Sequence, residues 1–357
     1  MKKFQKALLL LKEIKKNNQQ AYIVGGFVRD YLRGIWNHDI DICTSMTPDL
    51  LKKHFVVKEE HYGSTVIEYQ GEYFEVTTFR KEIGSKQNRY PAKILYTSSL
   101  EEDLKRRDFR MNAICMDENK KIVDLLGGKE DIQKKLIVSI GNPEQRLEED
   151  ALRILRAIRF ATTLNFTLES SLSQAIIKQK HLLKEISYQR KKEELERIFS
   201  SKQAVQGRKL LIEHQLLDVL EIPNLKNTVL YPNSLLIWMQ LGVDDIYPFT
   251  KEEKKKMKYL RKCKKEEWNI YRIYESDLDT AILIGMMKGK GREEITILKK
   301  NLPIQTRKDI HITSEELQQL IAKEKIADFY QKIEQAILTN QLKNENDMIK
   351  KWIQNHR

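Results

Sequence analysis

Residues 21–44 read AYIVGGFVRDYLRGIWNHDIDICT, and this stretch decides the fold of the N-terminal part of the chain. An apolar run at 21–24 leads into two glycines, and a segment of helical pattern follows them. A glycine turn that opens a helix presents bare backbone N–H groups, which suit a phosphate. The stretch ends in DIDI at 39–42, where polar and apolar residues alternate as in a half-buried strand. The order predicted is therefore strand, glycine turn, helix and strand.

The last strand carries two carboxylates, Asp39 and Asp41, one residue apart. Residues i and i+2 of a strand point to the same face, so both carboxylates would project together while Ile40 and Ile42 turn into a core. Like charges this close repel each other unless a cation lies between them. Carboxylate oxygens are ligands that Mg²⁺ prefers, usually with substrate phosphates completing its shell. An isolated D-x-D motif is most often surface charge. Together with the glycine turn, however, it predicts a site for a nucleoside triphosphate and Mg²⁺.

The composition indicates more than one domain and an excess of positive charge. The chain has 357 residues, which predicts two or three domains, and 41% of them are hydrophobic. The 64 Lys and Arg outnumber the 51 Asp and Glu, and the formal charge of +13 favours a polyanionic partner such as nucleic acid. Three cysteines without disulfide or zinc spacing indicate a reducing cytoplasm. No apolar run approaches the roughly 18–20 residues of a membrane span, and no signal-peptide pattern is present, so no membrane partner is expected.

Strand patterns are confined to the first third of the chain. Residues 1–20 predict an amphipathic helix, and further helices are predicted around 28–33 and 47–53. Apolar and β-branched runs predict strands at 21–24, 38–43, 55–57, 64–70, 73–79, 94–96, 112–117 and 121–124. From about residue 131 onward helical periodicity continues almost without a break. The sequence therefore predicts an α+β protein, with a small N-terminal mixed β-sheet domain followed by an all-α C-terminal region.

A second polar cluster follows the β-rich part. Four residues recur every three positions on one predicted helix: Asp150, Arg153, Arg156 and Arg159. A carboxylate braced against a guanidinium one turn away has planar edges that match the edges of nucleobases, and further arginines suit phosphates. The alternative is a surface helix stabilised by ion pairs. Because the arginines outnumber their acidic partners on this ridge, nucleotide binding is the favoured interpretation.

A third cluster lies in residues 102–113. Two consecutive arginines, Arg106 and Arg107, and Asn112 precede a predicted strand and could bind phosphate and ribose. Taken alone, the cluster is merely a charged loop.

The densest charge run is KEEKKKMKYLRKCKK at residues 251–265. It could contact a phosphate backbone. It could equally be the solvated face of a helix whose apolar residues recur at helical spacing. The sequence leaves both interpretations open.

Four motifs occur in the order and spacing of a known family. They are GG-x-VRD at 25–30, D-x-D at 39–41, RRDF-x-x-NA at 106–113 and ED-x-x-R at 149–153. Through these motifs the chain resembles the class II tRNA nucleotidyltransferases, the CCA-adding enzymes of the DNA polymerase beta superfamily, to which bacterial poly(A) polymerases are closely related. The match is specific through residues 21–200. The stretch from Asn301 to Trp352 resembles the tail of the Bacillus-type enzymes.

The resemblance implies a polymerase beta-like fold for the N-terminal domain and Mg²⁺-dependent nucleotidyl transfer. The 3′-hydroxyl of tRNA would attack the α-phosphate of CTP or ATP, and pyrophosphate would leave, without a nucleic-acid template. Asp39 and Asp41 would hold Mg²⁺. Glu75, in an apolar-acid-apolar setting on a neighbouring strand, would be a third catalytic carboxylate.

The resemblance also implies which residues bind the incoming nucleotide. Asp150 and Arg153 would read the base edge of CTP or ATP, with support from Glu149. The remaining contacts would come from Gly25, Gly26, Arg29, Arg107, Arg156 and Arg159. The basic helical part would hold the acceptor arm of tRNA largely through phosphate contacts. A homodimer is compatible with the sequence, which does not fix the oligomeric state.

Four domains are expected on this basis. They are a catalytic head at 1–135, a base-recognition neck at 136–200, a helical body at 201–270 and a tRNA-binding tail at 271–357.

Two departures from the family pattern lie in the N-terminal domain. Arg110 stands where the family usually has threonine. The loop at 87–91 reads QNRYP where the family usually has a sequence like D-x-R-R-P, and this loop helps the family to switch from CTP to ATP. Its intact length argues against an enzyme that adds only CC. The alternatives left open are a bacterial poly(A) polymerase, a partial enzyme that adds only CC or only A, and a non-catalytic RNA-binding protein on the same scaffold.

Overall fold

The computed structural model describes residues 2–61, 63–86 and 90–356. The chain divides into two compact units, Met1–Pro232 and Asn233–Arg357. The predicted α+β class is confirmed, because the strands lie in the first unit and helices make up the rest. The finer division into four domains stays a prediction.

The first unit alternates helices and strands before it becomes helical. Its strands, β1 to β11, are Ala21–Val24, Asp41–Thr44, Val56–His61, Ser64–Tyr69, Glu72–Thr78, Arg80–Lys86, Tyr90–Tyr96, Cys115–Met116, Ile122–Val123, Leu136–Ile137 and Thr167–Leu168. Its helices, α1 to α10, are Lys2–Lys16, Gly26–Leu32, Pro48–His54, Leu100–Lys105, Gly128–Lys134, Pro143–Glu149, Leu152–Leu164, Ser170–Gln179, Tyr188–Phe199 and Ala204–Glu213. Short 3-10 turns lie at Arg110–Asn112, Lys180–Glu185 and Pro223–Asn227.

A mixed sheet forms the centre of the first unit. Within the described residues it has seven strands in the order β3-β4-β5-β2-β1-β8-β9. The β2 and β5 strands run parallel, which sets Asp41 opposite Glu75, while β1 and β2 run antiparallel and set Val24 opposite Asp41. One face packs on the apolar side of α1, where Phe4, Leu11 and their neighbours are buried. The sheet therefore fixes the edge that carries the predicted metal ligands.

Most predicted elements are present, with three corrections. The strand expected at 38–43 begins at Asp41, and Asp39 lies before it in an exposed position, where its N–H donates to the Asn37 side chain. The alternation nevertheless holds, because Ile40 and Ile42 are both buried. The strand pair β6–β7 extends well beyond the predicted 94–96. The short parallel pair β10–β11 had no signal, since two-residue strands have no periodicity to read.

The helix expected to carry the whole polar ridge from Glu149 to Arg159 is interrupted. The α6 helix ends at Glu149, Asp150 is extended (φ −148°, ψ 99°), and α7 begins at Leu152. The Asp150 carboxylate accepts a hydrogen bond from the Leu152 N–H at 3.1 Å. A short polar side chain bonded to nearby backbone in this way competes with helical hydrogen bonding. The single-helix prediction was therefore wrong at this point.

The second unit is helical. Its helices, α11 to α18, are Ser234–Leu241, Lys251–Lys265, Ile270–Glu275, Leu278–Met287, Arg292–Lys300, Ser314–Leu320, Ile326–Leu338 and Asn346–Asn355, with 3-10 turns at Arg307–Asp309 and Lys323–Lys325. Isoleucine and leucine side chains of its last helices form a separate buried cluster around Ile333 and Ile349. Among the residues that the structure describes, no helix combines the length and the apolar character needed to cross a membrane.

Among the described glycines of the first unit, Gly128 would bring a Cβ into the closest contact. A Cβ there would lie 2.3 Å from the backbone oxygen of Arg110 and 2.8 Å from its carbonyl carbon. Backbone atoms cannot move aside as a flexible side chain can, so Gly128→Ala is expected to lower the free energy of unfolding by about 1–3 kcal/mol. Urea unfolding followed by circular dichroism measures this. The exposed neighbour Lys129→Ala is the control and should change it by less than about 0.5 kcal/mol. Equal stability of the two variants would contradict the packing argument.

Candidate nucleotide and metal site

Residues from all four sequence motifs line one cavity of about 450 Å³. It is lined by Gly25, Gly26, Arg29, Asn37, Asp39, Asp41, Arg106, Arg107, Asp108, Asn112, Asp150, Arg153, Arg156 and Phe160. The residues come from sequence segments more than a hundred positions apart. Such a concave site with convergent charged groups is typical of a ligand site.

The glycine turn forms one wall of the cavity. Gly25 has φ 79° and ψ −134°, a backbone conformation that residues other than glycine rarely adopt. A Cβ at Gly25 would lie 4.0 Å from Asp41 Oδ2 and 3.9 Å from Arg107 Nη1. Both are ordinary van der Waals distances, so glycine is needed here for its positive φ and not for space.

The two aspartates of the D-x-D motif both line the cavity. Within the described residues, neither the Asp39 nor the Asp41 carboxylate accepts a hydrogen bond or forms an ion pair, although both line the cavity. Burial, then the nearby Asp39 and Glu75 carboxylates, raise the pKa of Asp41 to about 6. Two unpartnered carboxylates that repel each other are a donor set that suits a divalent cation.

Glu75 stands apart from this pair. It lies opposite Asp41 in the β2–β5 register, as predicted, but it is exposed, does not line the cavity, and accepts a hydrogen bond from Ser64 Oγ at 2.5 Å. Among the described residues no three acidic, histidine or cysteine side chains are gathered closely enough to hold a metal by themselves. The arrangement fits a cation held by Asp39 and Asp41, with other ligands supplied by a substrate, as Mg²⁺ sites with one or two carboxylates commonly are.

Arg29 lines the cavity next to the glycine turn, and two polar side chains hold its guanidinium in place. Its Nε and Nη2 donate to the two oxygens of Asp30 at 2.9 and 2.8 Å, and its Nη1 donates to Asn112 Oδ1 at 2.8 Å. The side chain is buried except where it meets the cavity. A guanidinium held this way loses little rotamer freedom when it binds an anion.

Asp108 is the buried anion at the back of the cavity. It accepts from Arg156 Nε at 2.9 Å and Nη2 at 2.5 Å, and from Asn112 Nδ2 at 3.1 Å. Burial favours the protonated form, but the charge and hydrogen bonds of Arg156, with those of Asn112, outweigh it and lower the pKa of Asp108 to about 2. Asp108 is therefore ionised at neutral pH and orients Arg156.

Arg107 is held by a different carboxylate. Its Nη2 pairs with Asp103 Oδ2 at 3.1 Å, and Asp103 is fully buried. The Nε of Arg107 is buried and makes no hydrogen bond within the described residues. Burial opposes its charge, but Asp103 more than compensates and raises the pKa of Arg107. Arg107 thus brings a firmly charged guanidinium to the cavity.

The base-reading pair expected at Asp150 and Arg153 is arranged differently from the prediction. Arg153 donates to Glu149 Oε2 at 3.1 Å and to the carbonyl oxygens of Arg146 and Arg106 at 2.7 and 3.1 Å. Asp150 instead lies 3.5 Å from Arg190 Nη2. Burial raises the pKa of Asp150. The predicted bracing of Asp150 against Arg153 is therefore wrong. Both side chains line the cavity, Glu149 contacts Arg153 from outside it, and their base-reading role stays a prediction.

Arg159 does not line the cavity. It pairs with the buried Glu194 of α9, Nε to Oε2 at 2.5 Å, and lies over the ring of Phe160 at 3.9 Å. The guanidinium groups of Arg29 and Arg156 lie over the same ring at 5.4 and 5.5 Å. Phe160 therefore provides one aromatic surface for three arginines.

The two departures from the family pattern have different outcomes. Arg110 forms a two-pronged ion pair with Asp131 of α5, both N–O distances being 2.9 Å, and does not line the cavity. It therefore ties the turn at 110–112 to a helix. The predicted loop at 87–91 lies partly outside the described residues, because 87–89 are not among them.

The structure therefore brings nine of the twelve predicted site residues to one cavity and leaves Glu75, Glu149 and Arg159 around it. Arg106 and Asn112, considered for phosphate and ribose from the sequence, also line it. Sequence reasoning assigned no role to three further lining residues: Asn37, Asp108 and Phe160. Asp108 belongs to the RRDF-x-x-NA motif and could have been found there. Phe160 could not, because an apolar residue in a helical pattern predicts only burial.

Comparison with known proteins agrees with this geometry. A family model described as "Poly A polymerase head domain" matches residues 21–138. One described as "Probable RNA and SrmB- binding site of polymerase A" matches 165–227, and one described as "tRNA nucleotidyltransferase domain 2 putative" matches 248–353. The chain is 35% identical to a CCA-adding enzyme of Bacillus cytotoxicus and 34% to one of Bacillus cereus, each alignment covering 99% of both chains. The crystal structure of the Bacillus stearothermophilus CCA-adding enzyme in complex with CTP is similar at a TM-score of 0.84 and 27% identity, over 99% of this chain and 97% of that one.

The likeness covers the whole chain and includes the segments that build the cavity. The family resemblance carried by the four sequence motifs is thereby confirmed. The chain belongs to the CCA-adding enzymes, a family of tRNA nucleotidyltransferases.

Proposed function

We propose that this protein adds C, C and A to the 3′ end of tRNA, using CTP and ATP and releasing pyrophosphate. The observation that carries the proposal is one cavity lined by fixed arginines and by two carboxylates, Asp39 and Asp41, that have no partner among the residues the structure describes. The enzymes to which the chain is similar are named for CCA addition, and one of their structures is titled as a complex with CTP. Three free, buried cysteines support a reducing cytoplasm as its site of action.

The polar groups of the cavity divide between the two ends of a nucleotide. Arg29 and Arg107 lie beside the glycine turn and suit the triphosphate, since guanidinium groups match phosphate oxygens in pairs. Asp150 and Arg153 offer an acceptor and a donor for a base edge. Discrimination against other bases follows because a buried polar edge left unpaired costs free energy.

Family membership implies a divalent metal, and we propose Mg²⁺ held by Asp39 and Asp41. Bound there, the ion would neutralise charge on the reacting phosphate and polarise the attacking hydroxyl. The protein's own contribution is to position: the arginines hold the triphosphate, and their buried carboxylate partners keep them in place. The Glu75 carboxylate, on the neighbouring strand, contributes to the raised pKa of Asp41. We propose Glu75 as a third catalytic carboxylate.

The reaction is tested with purified protein and a tRNA that lacks its 3′ end. The tRNA is given CTP alone, ATP alone and both together, and the products are sized. Two added residues with CTP alone and a third, A, when both nucleotides are present support the proposal. A long A tail would identify a poly(A) polymerase, addition that stops at CC or requires pre-existing CC would identify a partial enzyme, and no metal-dependent incorporation would indicate a non-catalytic protein.

The carboxylate pair gives the first prediction. Asp41→Asn is expected to reduce incorporation about a thousandfold or more, because it removes charge that the metal requires, while tRNA affinity stays within about twofold. The rate of labelled CTP incorporation and the Kd for tRNA are the measurements. Asp49→Asn, an exposed carboxylate of α3, is the control and should be unaffected. Glu75→Gln tests the third carboxylate: a normal rate in that variant would remove Glu75 from the site.

Arg153 gives the second prediction. Arg153→Ala is expected to weaken discrimination against UTP and GTP by about 10- to 100-fold, because it removes a donor from the base edge. Glu149→Gln should move selectivity the same way by a smaller factor, since Glu149 holds Arg153 from outside the cavity. The ratio of kcat/KM for correct and incorrect nucleotides measures both. Unchanged discrimination in Arg153→Ala would overturn the base-reading role.

Phe160 gives the third prediction. Phe160→Leu keeps the site apolar but removes the ring under three arginines, and kcat/KM for CTP should fall about tenfold. Phe160→Tyr should restore it. The matched control is Phe166→Leu, a buried phenylalanine with one arginine, Arg33, over its ring and no place in the cavity. Equal activity of the two leucine variants, at equal stability, would show that the ring does not position the arginines.

A further inference from the structure

The face of the sheet that carries Asp41 also carries an exposed aromatic ring. Along β5 the side chains alternate: Phe74 and Val76 are buried in the core behind the sheet, while Tyr73 and Glu75 are exposed on the other face. Asp41 points to that same face, because it lies directly opposite Glu75 in the parallel β2–β5 pair. Tyr73 therefore shares a face with the carboxylate proposed to hold the metal.

Tyr73 is the most exposed aromatic residue in the part of the chain that the structure describes, at 56%. Among those residues its ring contacts no other ring and no cation lies over it, and its hydroxyl makes no hydrogen bond. Its cross-strand neighbour Glu68 pairs instead with Lys58 at 2.8 Å, and Lys58 interacts electrostatically with Tyr73. Four less exposed aromatic residues do contact a ring, a carboxylate or an ammonium group: Tyr31, Trp36, Tyr188 and Trp268.

The alternative is that Tyr73 serves only as a strand former, since tyrosine suits a pleated, half-buried surface. That role is normally fulfilled by a ring packed on its neighbours in the sheet. The ring of Tyr73 is more than half exposed, and its position relative to the reacting groups favours a binding role.

The order of the strands separates the two substrates of the proposed reaction. The β2 strand, with Asp41, lies between β1, which leads into the glycine turn, and β5, which carries Tyr73. The triphosphate is proposed to lie at the glycine turn, where a Cβ at Gly25 would be 3.9 Å from Arg107 Nη1. In phosphoryl transfer the attacking and leaving oxygens are roughly in line. Because pyrophosphate leaves on the β1 side, the attacking 3′-hydroxyl arrives from the β5 side.

Tyr73 lies one nucleotide away from the point of attack. Neighbouring strands are about 4.8 Å apart and residues i and i+2 about 7 Å apart, which sets the Cα atoms of Asp41 and Tyr73 about 8 Å from each other. The ribose and base of a single nucleotide span such a distance when the 3′-hydroxyl is at Asp41. The ring is thus placed where the last base of the attacking strand would lie.

We propose that the ring of Tyr73 is a stacking platform for the 3′-terminal base of the tRNA that is being extended. This inference rests on the proposed function, because it names where the end of that substrate is held. The terminal base changes between rounds when C, C and A are added, so hydrogen bonds to one base edge would not serve every round. Stacking on an aromatic ring accepts every base, because every base has a π-face. Tyr73 therefore holds the 3′ end in line without selecting its sequence.

Two variants of the full chain separate the ring from the strand. Tyr73→Val removes the ring but keeps a good strand former, and Tyr73→Phe keeps the ring. The probe is a tRNA that lacks its CCA end and has 2-aminopurine as its last nucleotide, because the fluorescence of this base falls when it stacks. Tyr73→Phe should quench the probe as wild type does, and Tyr73→Val should lose at least half of the quenching. The control is Leu125→Ala, an exposed apolar residue just after β9 at the opposite edge of the sheet, and it should quench as wild type does.

Nucleotide addition gives the second readout. In Tyr73→Val, kcat/KM for the tRNA should fall about tenfold or more, and Tyr73→Phe should restore it. The KM for CTP at saturating tRNA should stay within about twofold in both variants. Four tRNAs that differ only in their terminal base should all lose activity in Tyr73→Val, because stacking does not depend on the base edge.

Equal quenching and equal kcat/KM in Tyr73→Val and wild type would overturn the proposal. A raised KM for CTP with unchanged kcat/KM for the tRNA would also overturn it, because the ring would then hold the incoming nucleotide. If wild type quenches the probe through Tyr73 but adds no nucleotide, the stacking platform stands and the proposed function fails. If wild type adds CCA and the quenching does not depend on Tyr73, the proposed function stands and the stacking platform fails.

Discussion

The cavity depends on one buried carboxylate, that of Asp108. It orients Arg156 of α7 directly, and through the amide of Asn112 it also orients Arg29 of α2. Elements that are distant in sequence are thus aligned by a single anion. A buried charge of this kind is tolerated only because its partners satisfy it, and loss of one side would leave the other uncompensated. The sheet and the helix that follows it therefore form one site and not two adjacent surfaces.

The cationic side chains around the cavity and the two aspartates, Asp39 and Asp41, are held differently. The arginines near it are held by carboxylates: Asp30 holds Arg29, Asp103 holds both Arg106 and Arg107, Glu149 contacts Arg153, Asp108 holds Arg156 and Glu194 holds Arg159. Asp39 and Asp41 have no such partner among the described residues. The cations are thus held in fixed positions, while the anions remain available to a ligand. Fixed dipoles and charges need little rearrangement when substrate binds, which is how an enzyme lowers a barrier electrostatically.

The sequence predicted the fold and the site in outline but not in detail. The glycine turn, the alternation that buries Ile40 and Ile42, and the change from strands to helices follow from local patterns that the structure keeps. The break at Asp150 was not predictable from helix propensity, because a side chain bonded to backbone two residues ahead decides it. The partner of Asp150 is Arg190, forty residues away, and no local pattern reports such a contact. The contact of the Phe160 ring with Arg29 of α2 and Arg156 of α7 likewise depends on how the two helices pack together, which no local pattern predicts.

Arg153 shows what such long-range placement means for substrate choice. Its guanidinium donates to the carbonyl oxygen of Arg106, the residue before Arg107, and Arg146 donates to the carbonyls of both Arg106 and Arg107. The groups proposed to read the base and those proposed to bind the triphosphate are thereby attached to the same stretch of backbone. A shift of that segment would move both together, so the protein itself fixes the spacing between them.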